Sequence, residues 1–167
     1  MNRAIFFDRD GTLNNEVGYL WQIDKFHWLE GAKETIKLCN EKNYLVIVIT
    51  NQGGVARGLY TEDDIKILHD FMQEDLKKFG AHIDGFYYCP HHPEGKVKKY
   101  SIVCDCRKPK PGLFYKAAKD FNIDLKNSVM IGDMERDIES GKNAGVGKNI
   151  FFDNGDILGT VKKVMGW

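Results

Sequence analysis

Two aspartates stand two positions apart where an apolar run stops. "FFDRDGTLNN" carries Asp8 and Asp10, with Arg9 between them, directly after Ala4–Phe7. Asp and Gly are common turn residues, so the plain reading is a solvated turn. The chemical reading is a metal and phosphate site at the C-terminal edge of a sheet, where open α/β folds bind ligands. Three further stretches bear on the choice. "VIVITNQGGVARG" ends an apolar run on Thr50 and Asn51, with Gly53, Gly54 and Arg57 beyond. A hydroxyl, an amide and exposed backbone N–H groups can cradle phosphate oxygens there. "VMIGDMERD" ends another run at Gly132 and Asp133, with Asp137 four residues on. "CRKPKPG" supplies Arg107, which can grip a phosphate bidentately, and Lys108, a compact point charge.

Brought to one sheet edge, these residues form a set suited to phosphoryl transfer. Asp8 would attack phosphorus. Asp8, Asp10 and Asp133 suit Mg2+, which takes a few carboxylates together with water and phosphate oxygens. The ion and Lys108 would offset the charge that otherwise repels an attacking carboxylate. Asp10 would protonate the leaving oxygen and then deprotonate the water that hydrolyses an aspartyl-phosphate. Two aspartates are needed because one attacks and the other moves the proton.

A second cluster lies in residues 89 to 110, too polar and irregular to be core. Cys89-x-His91, twelve intervening residues and Cys104-x-Cys106 offer three thiolates and an imidazole in two close pairs. That inventory fits a closed tetrahedral structural Zn2+ site, with His92 as a rival to His91. Such an anchor would fix the backbone immediately before Arg107 and Lys108.

The elements that must position these groups read as alternating strands and helices, hence a mainly parallel sheet. Strands are expected at Ala4–Phe7, Tyr44–Ile49, Gly85–Tyr88, Val129–Ile131 and Asn149–Phe152. Helices are expected at Ala32–Glu41, after Thr61, and at Pro111–Phe121, Glu135–Asn143 and Ile157–Val164. "TEDD" has the form of a capping box, followed by Ile65, Leu68, Met72, Leu76 and Phe79 at helical steps. Only 39 residues separate Asp10 from Thr50, which leaves no room for a cap domain. The chain of 167 residues, 43% hydrophobic and 29% charged, is expected to form one globular domain, 1–167. Lys plus Arg equals Asp plus Glu at 24, so nothing in the net charge points to nucleic acid or an anionic membrane. No apolar run approaches 18 residues, and a cytoplasmic monomer is expected.

The DxDGT stretch, the strand-end Thr50, Lys108 and GDxxxD, in this order, resemble the haloacid dehalogenase superfamily. "FFDRDGTLNNEVGYL", "VITNQGGVARGLYTEDD", "DGFYYCPHHPEGKVKKY" and "CDCRKPKPG" together resemble its zinc-containing bacterial heptose bisphosphate phosphatases. The resemblance implies a capless Rossmann-like sheet of strand order 3-2-1-4-5 and Mg2+-dependent hydrolysis of a sugar bisphosphate. It implies Asp8 as nucleophile, Asp10 as acid/base, both with Asp133 at Mg2+, and Thr50 and Lys108 at the phosphoryl group. Glu16, Val17, Gly18 and Tyr19 match one substrate loop, and Thr50, Asn51, Gln52 and Gly53 another. Arg107 matches a substrate-recognising position, and Cys89, His91, Cys104 and Cys106 match zinc ligands. Arg57 and Lys110 are further candidates to hold a second phosphate. One departure stands out: Met134 occupies the position after the GD aspartate where related enzymes often carry Lys. Histidinol-phosphate phosphatases share the zinc loop and form the nearest rival reading. A catalytically dead zinc-containing scaffold is the rival of another class.

Overall fold

The computed structural model describes residues 1–167. Five strands form one parallel sheet in the order β3-β2-β1-β4-β5: β1 Ala4–Phe7, β2 Leu45–Asn51, β3 Gly85–Cys89, β4 Val129–Gly132 and β5 Lys148–Phe151. The five helices are α1 Ala32–Glu41, α2 Glu62–Phe79, α3 Gly112–Phe121, α4 Glu135–Ala144 and α5 Ile157–Met165. β2 begins one residue later than its apolar run suggests and continues through Thr50 and Asn51, which pair with Tyr88 and Cys89. Hydrophobic patterning could not extend the strand onto these polar residues; the ladder to β3 does. No helix is long and apolar enough to cross a membrane.

The layers follow from strand alternation, which sends successive side chains to opposite faces. Ile5 and Phe7 of β1 join a core with Ile36 of α1, Met72 of α2 and Val161 of α5. Ala4 and Phe6 join the opposite core with Phe114 and Ala117 of α3 and Ala144 of α4. Both faces of β1 are therefore covered, and all four of its residues are fully buried. Burial on both faces explains why its sequence is continuously apolar rather than alternating. Helix α2 opens with the expected capping box, Asp64 N–H donating to Thr61 Oγ1 at 3.2 Å and Thr61 N–H to Asp64 Oδ2 at 2.9 Å.

Because β1 pairs with β2 on one side and β4 on the other, chain direction around the sheet reverses at β1. The crevice beyond the strand ends at such a switch point is where this architecture binds ligands. Asp8, Thr50 and Asp133 all sit at that edge, immediately after or at the ends of β1, β2 and β4.

The excursion from β3 to α3 is ordered from two sides. Lys96 and Val97 N–H groups both donate to the Ala56 carbonyl, at 2.7 and 2.8 Å. Tyr88 and Tyr100 hydroxyls donate to the two carboxylate oxygens of Glu62 at 2.8 and 2.6 Å. At the other end, Cys89, His91, Cys104 and Cys106 converge. Cys89 Sγ lies 2.9 Å from Cys106 Sγ and 3.5 Å from Cys104 Sγ; His91 Nδ1 lies 3.4 Å from Cys106 Sγ and 3.6 Å from Cys89 Sγ. Tetrahedral ligands around zinc stand roughly 3.3 to 3.8 Å apart. Three of these separations fall in that range and the Cys89–Cys106 pair is closer, so the four donors converge on a space that one such ion would open slightly. His91 belongs to the cluster and His92 does not.

Candidate active site

The centre of the site is a buried ammonium. Lys108, 2% exposed, places its Nζ 2.8 Å from Asp8 Oδ1, 2.6 Å from Asp137 Oδ1 and 2.7 Å from the carbonyl of Ile49. The ammonium donates to Asp8 and to the Ile49 carbonyl and forms an ion pair with Asp137. The position of Lys108 is set by its own backbone. Its N–H donates to Asn51 Oδ1 at 2.9 Å, and Asn51 Nδ2 donates to its carbonyl at 3.2 Å. The Asn51 side chain thus holds the lysine in place instead of pointing its amide at a ligand.

Asp137 was visible in the sequence only as a residue able to point towards the strand ends. Its Oδ2 accepts from Met134 N–H at 3.0 Å, capping α4, while Oδ1 faces Lys108. Gly132 makes this possible, because a Cβ there would collide with the Asp137 side chain. Gly11 plays the same part beside Asp133: it adopts φ +86°, and a Cβ there would strike the Asp133 carboxylate. Glycine alone satisfies both demands at low cost.

Carboxylate oxygens of Asp8, Asp133 and Asp137 lie within 4.8 Å of one another. Three carboxylates against one ammonium leave an excess of buried negative charge, which fits a hard divalent cation with oxygen ligands. Asp8 and Asp137 each turn one oxygen to Lys108, and the second oxygen of Asp137 caps α4, so the second oxygen of Asp8 and the carboxylate of Asp133 remain to hold it. The Asp10 carboxylate is elsewhere: it accepts from Arg9 Nε at 2.9 Å, Arg9 Nη2 at 3.1 Å, Asn14 at 2.9 Å and Gln52 at 3.3 Å. It nevertheless lines the same cleft as Asp8.

Burial raises the Asp8 carboxyl well above the usual range, with Asp137 adding to the effect and Lys108 opposing it. Lys108 is raised above 10.5, since its two carboxylates outweigh its burial. A lysine so raised contributes stability that is complete below about pH 10.5 and lost as pH climbs through its folded value.

The cleft has a volume of about 390 Å³. Asp8, Asp10, Thr50, Gln52 and Gly53 form its floor, and Glu16, Gly18 and Tyr19 belong to its rim. Thr50 Oγ1 accepts from Gln52 Nε2 at 2.9 Å, leaving its own hydroxyl proton available. Arg57, Arg107 and Arg136 line the cleft, and none pairs with a carboxylate. Burial lowers the Arg107 pKa, and the neighbouring Arg136 and Arg57 lower it further. His92 stands among them, its Nε2 3.3 Å from Arg57 Nη2, and burial, Arg107 and Arg57 lower its pKa.

Two expected contributors are not at the cleft. Lys110 donates to the Cys104 carbonyl at 2.8 Å, beside the Cys/His cluster, and Val17 is turned to solvent. Proximity in sequence misplaced Lys110, because the chain turns between Lys108 and Pro111. Sequence reasoning missed Arg136, Tyr60 and His92. Arg136 had a usable signal, being one residue before Asp137 in the first turn of a helix that starts at the sheet edge.

Replacing Lys108 with Met leaves Asp8 and Asp137 buried without their cation. Denaturant unfolding at neutral pH without divalent metal should show a loss of about 3–5 kcal/mol. The Asp8 carboxyl, already raised by burial, then loses the cation that opposes that rise, so the deficit should shrink as pH falls into the carboxylate range. A deficit constant across pH would contradict the ion-pair account.

A family model of HAD-hydrolase-like proteins matches residues 105–150. The D-glycero-beta-D-manno-heptose-1,7-bisphosphate 7-phosphatase of Pasteurella multocida is 44% identical over 155 residues, covering 93% of this chain and 84% of that protein. The D-glycero-alpha-D-manno-heptose-1,7-bisphosphate 7-phosphatase of Burkholderia mallei is also 44% identical over 155 residues, covering 93% and 82%. Among solved structures, the D,D-heptose 1,7-bisphosphate phosphatase of B. bronchiseptica, complexed with magnesium and phosphate, superposes with a TM-score of 0.82 at 29% identity, covering 96% of this chain and 86% of that one. With this fold, these strand-end residues and relatives of this identity over nearly its whole length, the chain belongs to the haloacid dehalogenase superfamily, in the family of the heptose-1,7-bisphosphate 7-phosphatases, and is a phosphatase.

Proposed function

We propose that the protein removes the 7-phosphate of D-glycero-D-manno-heptose 1,7-bisphosphate, a step in making nucleotide-activated heptose for lipopolysaccharide core or surface glycans. The observation that carries this reading is the unpaired trio Arg57, Arg107 and Arg136 in the same cleft as Asp8 and Asp10. A substrate with one phosphate at Asp8 and a second anionic group among the arginines complements both regions. Histidinol phosphate carries an ammonium in that place and would meet three cations. A non-catalytic scaffold has no use for a buried lysine aimed at a strand-end aspartate.

In this mechanism an Asp8 carboxylate oxygen attacks phosphorus, and the bond from phosphorus to the sugar oxygen breaks. Asp10 gives its proton to that oxygen. A water then attacks phosphorus, Asp10 takes a proton from it, and inorganic phosphate leaves with the Asp8 carboxylate regenerated. Lys108 holds Asp8 at a fixed angle and offsets charge at the transferred group. The Thr50 hydroxyl is positioned to donate to a phosphate oxygen. Asp8 and Asp133 would hold Mg2+, with the Asp10 segment completing the site, and the ion would supply Lewis-acid stabilisation of the phosphoryl charge. Arg136 supplies the cation that related enzymes often place at the position of Met134. Cys89, His91, Cys104 and Cys106 hold a structural Zn2+ that keeps Arg107 and Lys108 in register with Asn51.

Phosphate release should be measured with Mg2+ from both anomers of the heptose bisphosphate and from histidinol phosphate. A kcat/KM for one heptose anomer at least tens of times above histidinol phosphate is expected; the reverse order would overturn the substrate assignment. Arg107→Ala and Arg136→Ala should each raise KM more for a bisphosphate than for a monophosphate. Equal effects on the two would remove the second-phosphate argument. The purified protein should also contain about one zinc per chain by elemental analysis, the capacity of one closed four-ligand site. Stripping that zinc should abolish activity even with Mg2+ in excess, and full activity of zinc-free protein would contradict the anchoring role.

A further inference from the structure

Arg9 is fully buried, the bulkiest of the enclosed side chains. Such a cation needs an acceptor at each of its three nitrogens. Asp10 takes Nε and one Nη2 hydrogen, and the Leu20 carbonyl accepts from Nη2 at 2.8 Å. The remaining nitrogen, Nη1, faces His69 Nε2 at 3.1 Å. His69 comes from the middle of α2, is 6% exposed, and its ring stacks on Phe86 at 4.3 Å with 17° between planes. A guanidinium can only donate, so Nε2 must accept and the proton of the neutral ring sits on Nδ1. Burial and the charge of Arg9 push the His69 pKa well below its usual value, in keeping with that tautomer.

The contacts run in one line: Phe86 fixes the ring of His69, the ring fixes Arg9, and Arg9 grips both oxygens of Asp10. Apart from Arg9, the Asp10 carboxylate is held by one amide on each oxygen, Asn14 at 2.9 Å and Gln52 at a long 3.3 Å, whereas Arg9 holds both oxygens at once. We propose that His69 is a positioning residue for the proton-transfer step: through Arg9 it sets the orientation of the Asp10 carboxyl. Without an acceptor at Nη1, the guanidinium swings to find one, and Asp10 follows it away from the leaving oxygen. The inference rests on the reading of Asp10 as the acid/base. It does not depend on which phosphate ester is the natural substrate.

The experiment separates proton donation from everything else by leaving group. Nitrophenolate departs without a proton, whereas a sugar or histidinol alkoxide needs one. Values of kcat/KM, which report steps through phosphoryl transfer to Asp8, should be compared for p-nitrophenyl phosphate and for heptose bisphosphate or histidinol phosphate, whichever is hydrolysed. His69→Phe should lower kcat/KM for the alkyl ester roughly tenfold or more, a share of the ~10²–10⁴ that general acid catalysis contributes. For p-nitrophenyl phosphate the loss should stay within a few-fold. His69→Gln, whose amide oxygen can accept from Arg9, should recover most of the alkyl-ester activity. If His69→Phe does not fold, His69→Met, apolar and flexible, carries the same expectation. Equal losses on both esters, or failure of His69→Gln to rescue, would overturn the proposal by making His69 merely structural. Asp10→Asn serves as the reference: a leaving-group split there without one at His69 overturns the inference alone. No split in Asp10→Asn overturns the acid assignment beneath it.

Discussion

The ammonium of Lys108, enclosed between Asp8 and Asp137, is the contact on which the rest of the site depends. It joins three parts of the chain that are distant in sequence: the end of β1, the first turn of α4, and the segment leaving the Cys/His cluster. A buried charge is tolerable only when paired and fully hydrogen-bonded. Here two carboxylates pair with the ammonium, which also donates to the Ile49 carbonyl, and the Asn51 amide locks the backbone on either side. One cation thus links the direction of the Asp8 carboxylate to the start of α4. It neutralises only part of the negative charge of Asp8, Asp133 and Asp137, and the remainder suits a hard divalent ion.

From that contact the odd excursion of the fold acquires a purpose. A polar loop of some twenty residues has too little apolar surface to order itself. Four soft donors at one end and the Glu62–Tyr88–Tyr100 contacts at the other hold it against the sheet edge. Arg107 follows directly, its Nη1 directed at the His91 carbonyl, and Lys108 after it. The loop therefore supplies both the pairing lysine and part of the cationic wall of the cleft.

Much of this was legible in the sequence. β1, β4 and α2 announced themselves because buried parallel strands are continuously apolar and α2 carries a capping box and clear helical periodicity. The strand-end aspartates, Thr50, Lys108 and the Cys/His quartet could be found because each is the chemical residue at the end of an apolar run or in a paired spacing. What sequence could not decide was direction. Lys108 and Lys110 are two residues apart, yet one turns inward and the other donates to the Cys104 carbonyl in the Cys/His cluster. Arg136 and Asp137 are adjacent, and only the geometry of the first turn of α4 sends one to the cleft and the other to Lys108. His69 carried no signal at all. A lone histidine on the buried side of an amphipathic helix looks like core until the partner of a buried arginine is known.

The central claim is that Asp8, held by Lys108, becomes covalently phosphorylated. Rapid acid quench during turnover, followed by borohydride reduction and peptide mass spectrometry, would convert an aspartyl-phosphate to homoserine at its site of formation. The account predicts homoserine at Asp8 only, dependent on substrate, and absent from Asp8→Asn. Substrate turnover with no trapped adduct, or with the adduct at any other aspartate, would contradict it.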